Sequence, residues 1–138
     1  TKTGATNQEK IMLDPKIIAQ HYITAALWAD APEGTRPRAP RETQEKALQL
    51  ARDFVACIGP KCQEYLKNNK EYFQHPDCGG SAEAAIGQDL WLTSQGHGVG
   101  FWDRDALRED VREFLTGLAE RKEFTLYPEF YRGWMYLH

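Results

Sequence analysis

The chain has 138 residues, of which 41% are hydrophobic, 27% charged and 12% aromatic, a composition typical of a one-domain globular protein. Its net charge of −3 argues against nucleic acid as a partner, and no apolar run approaches the roughly 20 residues that cross a bilayer. We therefore expect a cytoplasmic protein that has no membrane or nucleic-acid partner.

The first predicted helix follows a polar stretch at residues 1–12, which we expect to form a flexible tail. Residues 13–138 are interpreted as a single globular domain. Asp14 and Pro15 are typical of a helix start, because Asp caps free N–H groups and Pro suits the first helical position. Apolar residues at helical spacing continue as far as Trp28.

A loop and a long helix are predicted next. Residues 29–40 contain three prolines and a glycine among charged residues, which is typical of a surface loop. An apolar stripe over residues 41–58 indicates an amphipathic helix. Gly59-Pro60 should break or kink this helix, and a second helical piece is expected over residues 61–72.

Two further helices and a hairpin complete the predicted fold. Ser81 is a cap for a helix that ends near Gly96, where a left-handed C-terminal cap is expected. Asp103 or Asp105 can cap the next helix, which extends to about Lys122. The C-terminal residues predict two short strands, at 124–127 and 134–137. The fold class is therefore mainly α (α+β), a single helical domain of four to five helices with a C-terminal β-hairpin.

The most distinctive part of the sequence is the Gly-rich segment, which runs from Asp89 to Arg104 and reads DLWLTSQGHGVGFWDR. Its glycines at positions 96, 98 and 100 allow backbone conformations that other residues rarely adopt, and they permit close approach of another backbone or a ligand. The spacing is not that of a dinucleotide-binding motif, and the Lys-Ser/Thr of a phosphate-binding loop is missing.

One interpretation of this segment is structural. The glycines turn the chain between two helices, and Phe101 and Trp102 enter the core. Asp103 then caps the following helix, and Arg104 pairs with an acid such as Asp89. In that case the segment determines the local fold and carries no chemistry.

Two functional interpretations stand beside the structural one. His97, between two glycines, is a candidate general base or metal ligand of a small enzyme, with Asp103 and Arg104 beside it. Alternatively, the segment is a recognition surface, because Trp, Tyr and Arg dominate binding energies at protein interfaces. The candidate binding residues are Trp91, His97, Trp102 and Arg104, together with Tyr131 and Trp134 from the aromatic C-terminal stretch.

The cysteines offer a further alternative. Cys57, Cys62, His75 and Cys78 have the spacing C-x4-C-x12-H-x2-C, which supplies a soft ligand set suited to zinc. Isolated thiols are the simpler interpretation, since an odd number of cysteines argues against a disulfide framework. We therefore expect no metal and no cofactor.

The Gly-rich segment resembles the signature of a group of small, mostly uncharacterised proteins of phages and prophages, typically written D-F-W-L-T-R-N-G-H-G-A-G-F-W-D-R. Here Leu90 replaces Phe, Val99 replaces Ala, and Ser94-Gln95 replaces Arg-Asn. The resemblance implies a phage or mobile-element origin and no particular chemistry. The absence of Arg at Ser94 puts in doubt any anion-binding role of that position.

The resemblance, the small size and the surplus of aromatic residues lead to one functional hypothesis. We expect a small phage-type accessory protein that binds and modulates a host protein, in anti-defence or host takeover. It would be non-enzymatic and act in the cytoplasm of the host bacterium. The alternative hypothesis is a small enzyme that uses His97 as a general base or metal ligand.

Overall fold

The computed structural model describes residues 12–138, apart from the side chain of Asp77, so most of the predicted tail lies outside the described residues. The α-helices in this range are α1 (Pro15–Asp30), α2 (Arg41–Lys67), α3 (Lys70–Phe73), α4 (Ala82–Ser94) and α5 (Glu109–Ala119). Short 3-10 turns lie at Pro76–Cys78, Phe101–Asp103 and Lys122–Phe124, and β1 (Pro128–Tyr131) pairs antiparallel with β2 (Trp134–Leu137). The predicted mainly α fold of four to five helices with a C-terminal β-hairpin is confirmed.

Helix α4 is the central element of the fold, since eleven of its thirteen residues are buried. Helix α1 packs along it, and the two buried acids of α4, Glu83 and Asp89, are each ion-paired. Gly87 lies where the two helices meet, because a Cβ atom there would overlap the carbonyl oxygen of Ile18 and come within 2.9 Å of the Tyr22 nitrogen. This close approach of two backbones requires glycine.

The beginning of α1 and the break in α2 follow from local sequence. Asp14 Oδ1 accepts a hydrogen bond of 2.9 Å from the backbone N–H of Lys16, as expected of the cap. Gly59 has φ 80° and ψ 165° and precedes Pro60, so α2 is kinked there as predicted. Although α2 has 27 residues, neither it nor any other helix in residues 12–138 is long and apolar enough to cross a membrane.

The prediction that Asp103 or Asp105 caps the last helix is wrong. Helix α5 begins at Glu109 and ends at Ala119, and no side chain caps its first turn. Asp103 instead belongs to the short 3-10 turn that follows Gly100. Helix α5 begins later than predicted because the residues before it make other contacts. Leu107 packs in the core, and the Arg104 side chain binds Asp89 on α4.

The hairpin exists, but its first strand is four residues later than predicted. Strands β1 and β2 are joined by Arg132 and Gly133, with φ of 51° and 84°, the positive values of a two-residue type I′ turn. Pro128, which falls between the two predicted strands, lies opposite Leu137 at the first position of β1. Tyr127 and His138, the next pair along the ladder, exchange both of their backbone hydrogen bonds at 2.9 Å. Pro128 therefore lies in a non-hydrogen-bonded pair, so its missing N–H removes no bond from the ladder.

Candidate functional site

The Gly-rich segment starts as the C-terminal end of α4. Gly96 has φ 69° and donates to the Thr93 carbonyl at 3.2 Å, while the His97 N–H donates to the Leu92 carbonyl at 3.1 Å. These two bonds form a Schellman motif, which satisfies carbonyl groups that the helix end leaves free. The sequence-based expectation of a left-handed cap at Gly96 is confirmed.

The third glycine of the segment permits a close contact with the helix it has just left. A Cβ atom at Gly100 would overlap the Thr93 hydroxyl, and the same hydroxyl accepts a 3.0 Å hydrogen bond from the Phe101 N–H. Phe101 is thereby directed into the core, where its ring stacks on Phe54 with centroids 6.1 Å apart. The prediction that Trp102 also enters the core is wrong, because 49% of its surface remains exposed.

A buried ion pair closes the segment. The Arg104 guanidinium contacts the Asp89 carboxylate through Nε, at 3.0 and 3.2 Å, and through Nη2, at 2.7 Å. The Tyr72 hydroxyl donates to the same carboxylate at 2.8 Å. Burial raises the pKa of the Asp89 carboxyl, opposed by its bonds from Arg104 and Tyr72, while the hydrogen bond to Asp89 raises the pKa of Arg104. The predicted Asp89–Arg104 pair is confirmed, and this pairing neutralises the charge of Arg104.

The carboxylate of Asp30 binds both Trp91 and His97. The indole N–H of Trp91 donates to Asp30 Oδ2 at 2.6 Å, and His97 Nε2 lies 3.0 and 3.1 Å from the two oxygens of the same carboxylate. Trp91 is fully buried, with its ring edge-to-face against Tyr22 at 5.2 Å. Trp91 therefore presents no surface to a partner, contrary to the prediction that it is a binding residue.

A cleft of about 450 Å³, here called the Trp28 cleft, lies between α1 and the Gly-rich segment. Its lining residues are His21, Thr24, Ala25, Trp28, Gln88, Leu92, Val99, Asp103 and Arg104. The Trp28 side chain is 79% exposed and Val99 is also exposed. Trp28 was not among the residues predicted to bind a partner. The signal for its exposure is its position on α1, to one side of the buried stripe that includes Ala25 and Ala26.

The remaining predicted binding residues lie elsewhere. Trp102 lines a separate concavity of about 450 Å³ beside α5 and not the Trp28 cleft. Tyr131 is exposed on the hairpin, with the Arg132 guanidinium 5.2 Å from its ring centre. Trp134 is half-buried beneath Arg38, 5.1 Å away, in a third concavity beside the start of α2. The fold thus places the candidate binding residues on several separate surfaces.

The four residues of the alternative zinc set are not brought together as a site. Cys57 is exposed on α2, whereas Cys78 is buried beside α4. Among residues 12–138 no group of three or more His, Cys, Asp or Glu side chains is placed to hold a metal ion. His97 therefore also belongs to no such group of metal ligands within residues 12–138, and its ion-pair partner is the Asp30 carboxylate.

In comparisons with known proteins, no protein-family model, no curated protein and no solved structure matches this chain. Its function is therefore inferred from the contacts and surfaces described above.

Proposed function

We propose that this chain is a non-enzymatic accessory protein that binds another protein through the Trp28 cleft. The observation that carries the proposal is the 79% exposure of the Trp28 side chain at the edge of a 450 Å³ cleft. If the phage-type resemblance reflects its origin, the partner is a host protein whose activity is modulated, in anti-defence or host takeover.

The ionisable groups of the Gly-rich segment support binding rather than catalysis. Asp89 and Arg104 satisfy each other, and Asp30 holds His97. His97 does not line the Trp28 cleft, so a molecule in the cleft would meet the paired Arg104 and not the imidazole. These contacts stabilise the turn and commit all four of these groups to partners within the protein.

The exposed Trp28 ring at the edge of the cleft is a side chain of the type that contributes most to affinity at protein interfaces. An exposed Trp beside a concavity can bury about 150–250 Å² of ring surface against a partner. Truncating such an anchor at an interface typically costs about 2 kcal/mol or more, which corresponds to roughly 30-fold in affinity. Because the ring makes few contacts in the isolated chain, removing it tests binding with little effect on folding.

The test compares Trp28→Ala with the wild-type chain. Each protein is immobilised, stoichiometric partners are captured from host lysate, and the dissociation constant is then measured with the purified partner. We expect Trp28→Ala to weaken binding at least 30-fold, whereas Tyr127→Ala, which removes a 64% exposed aromatic ring outside the cleft, leaves it unchanged. Failure to recover a stoichiometric partner, or equal binding by Trp28→Ala, contradicts the proposal.

A small enzyme that uses His97 as a general base is the second candidate. The observation in its favour is the Asp30 carboxylate, which lies 3.0 Å from Nε2 and orients the imidazole as in acid–base sites. Hydrolysis of a panel of ester, phosphoester and peptide substrates tests it. This second candidate predicts turnover that is lost in His97→Gln and retained in Trp28→Ala; equal rates for wild type and His97→Gln remove it.

A further inference from the structure

A larger concavity, here called the basic groove, lies on the side of α1 that faces the start of α2. Its volume is about 800 Å³. Residues that line it include Lys16, Ile23, Leu27, Arg38, Leu48 and Trp134. Thr24 also lines the Trp28 cleft, so the two concavities are neighbours on α1.

The charge of the basic groove is opposite to that of the whole protein. Three cations line it, Lys16, Arg38 and Arg41, against the single carboxylate of Glu45, whereas the chain carries a net charge of −3. Glu45 is paired with Arg41 at 3.2 Å. Within residues 12–138, neither Lys16 nor Arg38 has a carboxylate at ion-pair distance, so both are available to a negatively charged partner.

Arg38 is held in place without an acidic partner. Its N–H donates to the Gly133 carbonyl at 2.9 Å, and its carbonyl accepts from the Met135 N–H at 2.8 Å, so its backbone joins the outer edge of β2. The guanidinium lies 5.1 Å from the centre of the Trp134 ring. A cation ordered in this way loses little conformational entropy when it meets an anion, which favours binding.

The floor of the groove is apolar and elongated. Ile23, Leu27 and Leu48 are partly buried hydrophobic residues that line it. The lining positions on α1 extend from Lys16 to Leu27, a rise of about 16 Å or three helical turns. This length and the aliphatic floor fit a short peptide segment, whereas a nucleic-acid strand would place its closely spaced phosphates against hydrocarbon.

We propose that the basic groove binds an acidic amphipathic peptide segment of a partner protein. Its aliphatic side chains cover Ile23, Leu27 and Leu48, and its carboxylates face Lys16 and Arg38. The proposal goes beyond the function assigned to the Trp28 cleft, because it concerns a separate surface with a different ligand chemistry.

The experiment selects binders from a random 12-residue peptide library on the immobilised full chain, then measures the affinity of enriched, fluorescently labelled peptides by anisotropy. We expect enriched peptides to combine at least two Asp or Glu residues with aliphatic residues at helical spacing. The Lys16→Glu/Arg38→Glu variant should weaken their binding at least 10-fold, and added salt should weaken binding to the wild type.

The matched control is Arg52→Glu/Lys61→Glu, which makes the same change in net charge at exposed positions of α2 outside the groove. We expect this control to bind the peptides within twofold of wild type. Thermal unfolding checks that each variant is folded, and Lys16→Gln/Arg38→Gln replaces the charge-reversal variant if that variant is unfolded. Trp28→Ala should retain peptide binding, which separates this inference from the function proposed for the Trp28 cleft.

Three outcomes overturn the inference. Enrichment of peptides without acidic residues removes the predicted ligand chemistry. Equal binding by the groove and control variants removes the predicted site. Binding of a single-stranded oligonucleotide or of phosphatidylserine vesicles that depends on Lys16 and Arg38, without enrichment of acidic peptides, assigns the groove to a phosphate ligand instead.

Discussion

The Gly-rich segment and the outer surface of α1 use similar residue types in opposite ways. In the Gly-rich segment, the side chains of Asp89, Trp91 and Arg104 are directed inward and bond to neighbouring residues. On α1, Trp28 and Lys16 remain exposed beside concavities. The segment with the most distinctive sequence therefore stabilises the fold, while an unremarkable helix presents the groups that a partner can reach.

The largest effect should come from breaking the buried ion pair. Asp89→Ala leaves the Arg104 guanidinium, which is only 13% exposed, and the buried Tyr72 hydroxyl without their acceptor. Because an uncompensated buried charge is costly, we expect a loss of about 3–5 kcal/mol in the free energy of unfolding, measured with urea. The double variant Asp89→Leu/Arg104→Met should recover only part of it, because the Tyr72 hydroxyl still lacks its acceptor. A loss below about 1 kcal/mol for Asp89→Ala would show that the pair is not buried in solution.

A smaller effect is expected from the glycines. Gly100→Ala places a methyl group against the Thr93 hydroxyl, so backbone or side chain must shift, whereas Gly98→Ala, also at positive φ, meets no atom within 4 Å. We expect about 2–3 kcal/mol of destabilisation for Gly100→Ala and about 1 kcal/mol for Gly98→Ala, from overpacking and from left-handed backbone respectively. Equal costs in urea denaturation would mean that the contact with Thr93 does not hold the turn.

At the N-terminal end of α4, the contacts of Glu83 predict that the stability of the fold depends on pH. Burial raises the pKa of the Glu83 carboxyl, but hydrogen bonds from Lys67 at 2.7 Å and from the Asp14 N–H at 3.1 Å outweigh it, and the net pKa lies below its usual value. A lowered folded-state pKa stabilises the protein above the unfolded-state value, near 4.5, and that stability is lost as pH falls through the folded-state pKa.

Glu83→Gln removes this titration and tests the assignment. We expect the variant to be less stable by about 1–2 kcal/mol at pH 7, because a charge-assisted hydrogen bond at a buried carboxylate is lost. The difference from wild type should shrink as pH falls below 4.5, in thermal unfolding followed between pH 7 and pH 3. A constant difference over that range would indicate that the Glu83 charge has no part in stability.

The smallest effect on folding is expected at the exposed surface, where two tryptophans provide a direct comparison. Trp28→Ala should change the free energy of unfolding by no more than about 0.5 kcal/mol, as is usual for an exposed side chain. Trp91→Ala, which removes a fully buried ring and its bond to Asp30, should cost about 3–5 kcal/mol. Similar costs for the two variants would contradict the contrast between the buried segment and the exposed helix.

Much of the local structure could be predicted because it depends on residues close together in the chain. The caps of Asp14 and Ser81 bind N–H groups two and three residues further on. The Gly96 turn binds carbonyls of the preceding turn, and the Asp89–Arg104 pair spans only fifteen residues. At this range, backbone conformation and side-chain chemistry suffice to indicate the partner.

The errors arose where contacts come from distant parts of the chain. Asp30 binds His97 from 67 residues away, so the environment of the imidazole could not be read from the segment alone. The exposure of Trp102 depends on Phe101, which occupies the core position beside Phe54. The displaced first strand is an exception with a local cause. It follows from the Arg132-Gly133 turn, whose first residue is a less familiar occupant of left-handed backbone.

The sequence by itself determined the class of fold, the ends of α1 and α4 and the ion pair at the end of the Gly-rich segment, since helical periodicity, caps and short-range charge pairs are local. Only the tertiary structure decided which aromatic and charged side chains reach the surface. Burial depends on what other elements pack against a residue, and so Trp91 became core while Trp28, Lys16 and Arg38 came to line the concavities proposed to bind partners.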